Sequence, residues 1–64
     1  MNIAIEGMHS QACVKRVRMA LEKVEGVTVR EVTIGSVELV ADPRHHAAAL
    51  AAIEKAGYQP HISA

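Results

Sequence analysis

Polar and apolar residues alternate from Asn2 to Glu6, the two-residue period of a half-buried strand. Gly7 to Gln11 breaks that pattern. The next apolar residues, Val14, Val17, Leu21 and Val24, recur at intervals of 3, 4 and 3, which is one stripe of a helix. Ser10 is placed to cap this helix through its hydroxyl, and Gly26 to end it. Val27 to Ile34 is rich in β-branched residues and reads as a second strand. Its apolar positions switch from odd (Val27, Val29) to even (Val32, Ile34), which predicts a bulge near Arg30 and Glu31. Gly35 and Ser36 suit a hairpin turn, and Val37 to Ala41 forms the third strand. Asp42 and Pro43 read as the cap and first turn of a second helix. Its apolar stripe is Ala49, Leu50, Ile53 and Ala56, and Gly57 ends it. Tyr58 to Ile62 is a short fourth strand, which Pro60 assigns to a sheet edge.

The order β-α-β-β-α-β predicts an α+β chain with the ferredoxin-like sandwich, a four-stranded antiparallel sheet carrying both helices on one face. Residues 1–64 read as a single domain with no repeat or linker. Following the chain through this topology sorts the loops into two ends. The Gly7–Ala12 loop, the Gly35–Ser36 turn and the connection through Ala56, Gly57 and Tyr58 share one end. His45, His46 and His61 are expected at the other. A helix of about 12 residues is roughly 18 Å long, so only His9 is expected near Cys13, and the four histidines do not form one metal cluster.

Composition narrows the function. The 64 residues include eleven Ala and eight Val but one Tyr, no Phe and no Trp. The core is therefore thin and its elements closely packed, with little space for a large ligand. Seven basic residues face seven acidic ones, which argues against general nucleic-acid binding, and a single aromatic residue supports no base-stacking platform. The longest apolar run, Ala47 to Ile53, is far below the roughly 20 residues of a membrane span. No basic-then-apolar leader opens the sequence. One cysteine allows no internal disulfide, and a reducing, cytoplasmic setting is expected.

Cys13 carries the sharpest chemistry. It lies in the first turn of the first helix, where unpaired N–H groups favour an anion, with Lys15 and Arg16 close by. Such a position favours the thiolate, the form that binds soft metals; a cysteine there also suits a small buried hydrophobe. Met8 reads either as a thioether ligand or as flexible filler under the loop. His9 has an imidazole within reach of a metal on Cys13, or is simply solvated. Tyr58 starts the last strand at the same end, where it shields the thiolate or caps the core. Lys15, Arg16, Arg18 and Lys23 make a basic helix face, either solvated or a docking patch for an acidic partner.

The run Gly7-Met8-His9-Ser10-Gln11-Ala12-Cys13, on the loop between the first strand and helix of this fold, resembles the metal loop of heavy-metal-associated domains, with the pattern Gly-Met-x-Cys-x-x-Cys. The likeness extends through the Val14–Val17–Leu21 helix, the Glu25-Gly26-Val27 turn, the Ala41-Asp42-Pro43 junction and the Lys55-Ala56-Gly57-Tyr58 end. Tyr58 is similar to the tyrosine that bacterial copper chaperones often carry close to the metal. The resemblance implies a small soluble cytoplasmic carrier, not an enzyme. It implies Cu(I) as cargo, with Ag(I) or Zn(II) as related ions, and a copper-transporting P-type ATPase or another metal acceptor as partner. Cys13 matches the second metal cysteine. Ser10 stands where the first belongs, and a hydroxyl is a poor donor to a soft ion. The resemblance leaves three explanations open: Ser10 is an engineered substitution that disables or simplifies the site; it is a natural variant whose missing ligand comes from His9, from glutathione or from a second protomer in a metal-bridged homodimer; or metal binding is lost. The rival reading is a thiol-redox or metal-free interaction module using Cys13.

Overall fold

Alternation in Asn2–Glu6 produces the first strand, β1, with Ile3 and Ile5 buried and Asn2, Ala4 and Glu6 exposed. The computed structural model describes residues 1–63. The remaining elements are α1 (Gln11–Glu22), β2 (Val27–Thr33), β3 (Ser36–Ala41), a single 3₁₀ turn (Pro43–His45), α2 (His46–Lys55) and β4 (Gln59–Ser63). All strand pairs are antiparallel, in the order β2-β3-β1-β4. The expected ferredoxin-like sandwich is thus observed. β4 is an edge strand, as Pro60 requires.

One face of the sheet packs on the helices. Ile3, Ile5, Val32, Val37 and Leu39 meet Val17 and Leu21 of α1 and Ala49 and Ile53 of α2. Burying each large aliphatic side chain contributes about 1.5–3 kcal/mol relative to leaving it exposed, so this small set holds the domain together. The other sheet face is open, the usual state of an antiparallel sheet with alternating residues. The bulge lies where the switch of apolar parity places it. The register passes from Val29↔Leu39 to Glu31↔Glu38 and leaves Arg30 without a partner. Val29 and Val32 can then both face the helices.

Several boundaries differ from the sequence reading; β4, for one, runs Gln59–Ser63 and not Tyr58 to Ile62. α1 ends at Glu22 with Lys23 as its C-cap, not at Gly26. The Val24 N–H bonds to the Leu21 carbonyl at 3.0 Å and tightens the chain into a turn. Gly26 follows with φ +83°, and the His45 ring lies so close that a Cβ there would fall 2.6 Å from it. Gly26 is therefore a packing glycine at the helix–strand junction. The hairpin turn is Ile34-Gly35, one residue earlier than expected, because Thr33 and Ser36 are the last pair of the ladder and Gly35 supplies the positive φ. The second helix opens as a 3₁₀ turn, with the Asp42 carboxylate accepting the Arg44 N–H at 3.2 Å.

The two ends of the sandwich are as expected for His45 and His46. His45 packs on Gly26, and His46 Nε2 lies 3.1 Å from the Ala41 carbonyl. His61 is a correction. It pairs with Ala4 in mid-sheet, and its Nε2 stands 2.7 Å from Glu6 Oε2. β4 starts at the Gly7-loop end, so its third residue is not yet at the far end, and the diagonal neighbour Glu6 draws the ring back.

Candidate metal centre

The loop after β1 is set by two residues. Gly7 adopts φ +99°, a left-handed conformation that turns the chain out of the strand. Met8 then dives inward and is 6% exposed, with its sulfur accepting the Gly35 N–H at 3.4 Å. Met8 is therefore a packed anchor that ties the loop to the β2–β3 turn, which favours the filler reading over a ligand. His9, Ser10, Gln11 and Ala12 are exposed, and Cys13 is half-buried at the start of α1.

Ser10 does not cap the helix with its hydroxyl. Its backbone is extended, and its carbonyl accepts the N–H groups of Cys13 (3.0 Å) and Val14 (3.3 Å). The hydroxyl turns instead toward the sulfur, with Oγ 3.8 Å from Cys13 Sγ. The residue at the altered ligand position thus serves the thiol as a donor.

These groups hold the Cys13 thiol pKa down at about 6. The causes, largest first, are the backbone of His9, the Tyr58 hydroxyl and the Ser10 hydroxyl; partial burial opposes them, and the Ser10 backbone adds a little. The Tyr58 phenol is shifted upward, because it serves the thiolate as a hydrogen-bond donor and would otherwise become a second anion beside it. Tyr58 is 7% exposed, so its ring closes the core while its hydroxyl reaches the site. At neutral pH the site presents a stabilised thiolate. Thiol alkylation followed against pH is expected to show a midpoint near 6. Tyr58→Phe and Ser10→Ala are each expected to move it upward, since each removes a donor to the charged form. A midpoint at the free-thiol value of about 8.5 in the wild type would contradict this geometry.

One further residue reaches the site. The Arg16 guanidinium interacts with the Tyr58 hydroxyl and favours its ionised form. Sequence reading placed Lys15 and Arg16 close to Cys13 and on a basic helix face, without the link to Tyr58. The available signal was its spacing, three residues after Cys13 on the same helix flank.

His9 sits beside Cys13 in sequence on the exposed loop, whereas His45, His46 and His61 are all placed elsewhere. Among the described residues, no three His, Cys, Asp or Glu side chains converge as a metal cage. The donor chemistry at the loop is one soft thiolate with a hydroxyl beside it, and the same exposed loop carries the imidazole of His9. It supplies one good donor to a soft ion and leaves the second position without one.

A family model for the heavy-metal-associated domain matches residues 2–59. The chain belongs to the heavy-metal-associated domain family. This heavy-metal-associated domain is 41% identical over 66 aligned positions to Copper-transporting ATPase 2 of Rhizobium meliloti (strain 1021), an alignment covering 97% of the chain and 8% of that relative. It therefore spans a small fraction of that relative's length. Among solved structures, a copper binding domain from HMA7, a P-type ATPase, superposes with a TM-score of 0.91 at 29% identity, covering 100% of this chain and 92% of the other. The N-terminal domain of PacS from Synechocystis PCC6803 superposes with a TM-score of 0.84 at 25% identity, covering 98% and 94%. The heavy-metal-associated domain assignment covers residues 2–59, from β1 to the start of β4. Among the described residues, no helix is long and apolar enough to cross a membrane.

Proposed function

We propose that this domain carries a soft metal ion, Cu(I), on Cys13 and passes it by ligand exchange to a partner metal-binding domain, such as that of a copper-transporting P-type ATPase. The observation that carries the reading is the stabilised Cys13 thiolate on the metal loop of a domain related to copper-ATPase modules. A thiolate formed before the ion arrives need not lose a proton on binding at neutral pH. Partial exposure leaves the sulfur open to an incoming donor, which exchange requires. His9 is the candidate second ligand within the chain. Soft-donor chemistry admits Ag(I) equally, and a Cys–His pair also suits Zn(II). The domain acts as a carrier without catalysis, in a reducing cytoplasmic setting where a lone thiol persists.

Cu(I) competition against a chromogenic chelator under anaerobic reducing conditions tests this. Wild type is expected to withdraw copper, and Cys13→Ser to lose that ability. The triple variant His45→Gln/His46→Gln/His61→Gln is expected to match wild type, because His45 and His46 lie at the other end of the sandwich and the His61 ring is engaged by Glu6 on the sheet. Equal binding by Cys13→Ser would refute the reading. Binding also requires the thiolate, so affinity is expected to hold above pH 6 and to fall about tenfold per pH unit below it, as protons compete for the sulfur.

The low thiol pKa also favours a redox reading, in which Cys13 forms a mixed disulfide with oxidised glutathione. That reading expects fast glutathionylation together with no copper withdrawal from the chelator.

A further inference from the structure

We propose that this domain associates head to tail with further copies of itself: the lysine stripe on the outer side of α1 in one copy docks on the uncovered face of the sheet in the next. The contact does not use the metal loop and goes beyond the carrier role.

The uncovered sheet face is acidic. Strand alternation turns Ile3, Ile5, Val37 and Leu39 toward the helices, so Asn2, Ala4, Glu6 and Glu38 emerge on the other side. Glu31 stands directly across the ladder from Glu38. Like charges so opposed destabilise a sheet. The ion pairs found among the described residues join Arg18 to Glu22, Arg44 to Asp42 and His61 to Glu6, so none neutralises Glu31 or Glu38. Arg30, in the bulge, is the only lysine or arginine on the described strands, and it pairs with neither. The two glutamates border an open groove of about 290 Å³, walled also by Asn2, Thr33, Ser36 and Ser63. Carboxylates, hydroxyls and an amide are acceptors that suit an ammonium head. A second carboxylate position follows along the face. Glu6 is four residues along β1 from Asn2, the residue paired with Glu38, so it stands about 14 Å from Glu38. Ala4, a small residue, lies between them.

The complementary surface is on the opposite side of the same molecule. Lys15, Met19 and Lys23 recur every four residues along α1 and its C-cap, turned away from the buried Val17 and Leu21, and all three are exposed. Neither lysine is engaged by the ion pairs above, and Glu22 beside them is taken by Arg18. Lys15 and Lys23 are about 12 Å apart along the helix axis, close to the spacing of the two carboxylate positions. Met19, 49% exposed, is midway between the lysines, as Ala4 is between the glutamates. One placement of the helix therefore matches two charges and one apolar contact.

A second copy is the occupant because the chain itself carries the matching stripe. Its seven basic and seven acidic residues also leave no net charge to hold copies apart. The two faces lie on opposite sides of the sandwich, so the contact is heterologous and does not close: each stack keeps one free face at either end. Exposed charge pairs are individually weak, so stacks form at high concentration and low salt.

Sedimentation of metal-free, fully reduced protein reads this association without copper or disulfides. At millimolar concentration and low salt the average mass is expected to climb past that of a dimer. It is expected to return to monomer at about 0.5 M salt, where the screening length is roughly 4 Å. Lys15→Glu/Lys23→Glu and Glu31→Lys/Glu38→Lys are each expected to weaken association by about tenfold or more, the loss of two exposed pairs. All four positions are exposed, so the fold is kept. An equimolar mixture of the two variants is expected to associate again, because each reversed face then meets its opposite. Arg44→Glu/Lys55→Glu shifts the net charge as far as the α1 variant does but lies off both faces, and is expected to weaken association less than about threefold, as screened charges outside the contact do. A wild type that stays monomeric at low salt, a mass that levels off at the dimer, or insensitivity to salt would overturn the proposal. So would a mixture that stays monomeric, or an Arg44/Lys55 variant that dissociates as fully as the α1 variant. None of these outcomes bears on copper binding by Cys13.

Discussion

Ser10→Cys is expected to raise Cu(I) affinity by about a thousandfold and to make one monomer sufficient for the site. Ser10 Oγ already lies 3.8 Å from Cys13 Sγ. That span is comparable to two metal–sulfur bonds of about 2.3 Å each set at a wide angle. A sulfur at position 10 would therefore reach a shared ion with only a small rotamer change. Linking the second thiolate to the same chain converts a bimolecular step into a local one, a gain on the order of 10²–10⁴ in apparent affinity. The backbone at position 10 is extended and contributes its carbonyl, not its side chain, to the start of α1. The substitution therefore removes no helix cap, and thermal stability is expected to stay within about 0.5 kcal/mol of wild type. Chelator competition reads the affinity, and sedimentation reads the oligomeric state. Dependence on added glutathione should vanish in the same variant. An unchanged affinity would mean that the loop no longer functions as a metal loop.

Leu21→Ala is expected to remove most of the folding stability. Leu21 is fully buried in the helix–sheet core, at 0% exposure. Truncating such a leucine costs about 2–5 kcal/mol, partly through the cavity left behind. A domain of this size has only about 3–10 kcal/mol in total. Few bulky side chains are present to collapse into the gap, because much of the surrounding helix surface is alanine. Met19, on the same helix and 49% exposed, provides the control: Met19→Ala is expected to change stability by less than about 0.5 kcal/mol. Urea unfolding measures both. The loss should also be visible at the site, since the low pKa of Cys13 depends on groups from two segments of the fold. In the unfolded fraction the thiol returns to its ordinary range and alkylation at pH 6–7 slows. A Leu21→Ala protein with wild-type stability would show that the core is organised differently from the packing described above.

Much of this molecule could be read along the chain. Period-two alternation located β1, and the 3-4-3 spacing of Val14, Val17, Leu21 and Val24 located α1. The parity switch between Val29 and Val32 revealed a bulge, because a β ladder can change faces only by inserting a residue. Pro60 marked an edge because it has no N–H to give a second neighbour. Two of the misread boundaries turned on glycines. Gly26 and Gly35 were recognised as special, but their exact duties depend on neighbours remote in sequence: the His45 ring on one, and the Thr33–Ser36 pair with Met8 sulfur beside the other. His61 was misplaced for a similar reason, since a strand's register against its neighbour decides how far along the sheet each residue falls.

The metal loop divides the same way. Its residue types and spacing, ending in Cys13 at the first turn of α1, are local properties; they marked Cys13 as a candidate soft-metal ligand, and the resemblance to heavy-metal-associated domains implied that a second ligand is missing at Ser10. What the local pattern could not contain is the set of groups that make Cys13 a thiolate. Tyr58 arrives from 45 positions away through the closing of β4 against β1, and Arg16 matters because it meets that tyrosine. Ser10 looked like a cap until its hydroxyl was seen to face sulfur. Periodicity and residue chemistry act over a few residues and so are legible in sequence. Hydrogen bonds to a thiolate and the charge around it act over a few ångströms, and only the folded chain decides which residues those ångströms enclose.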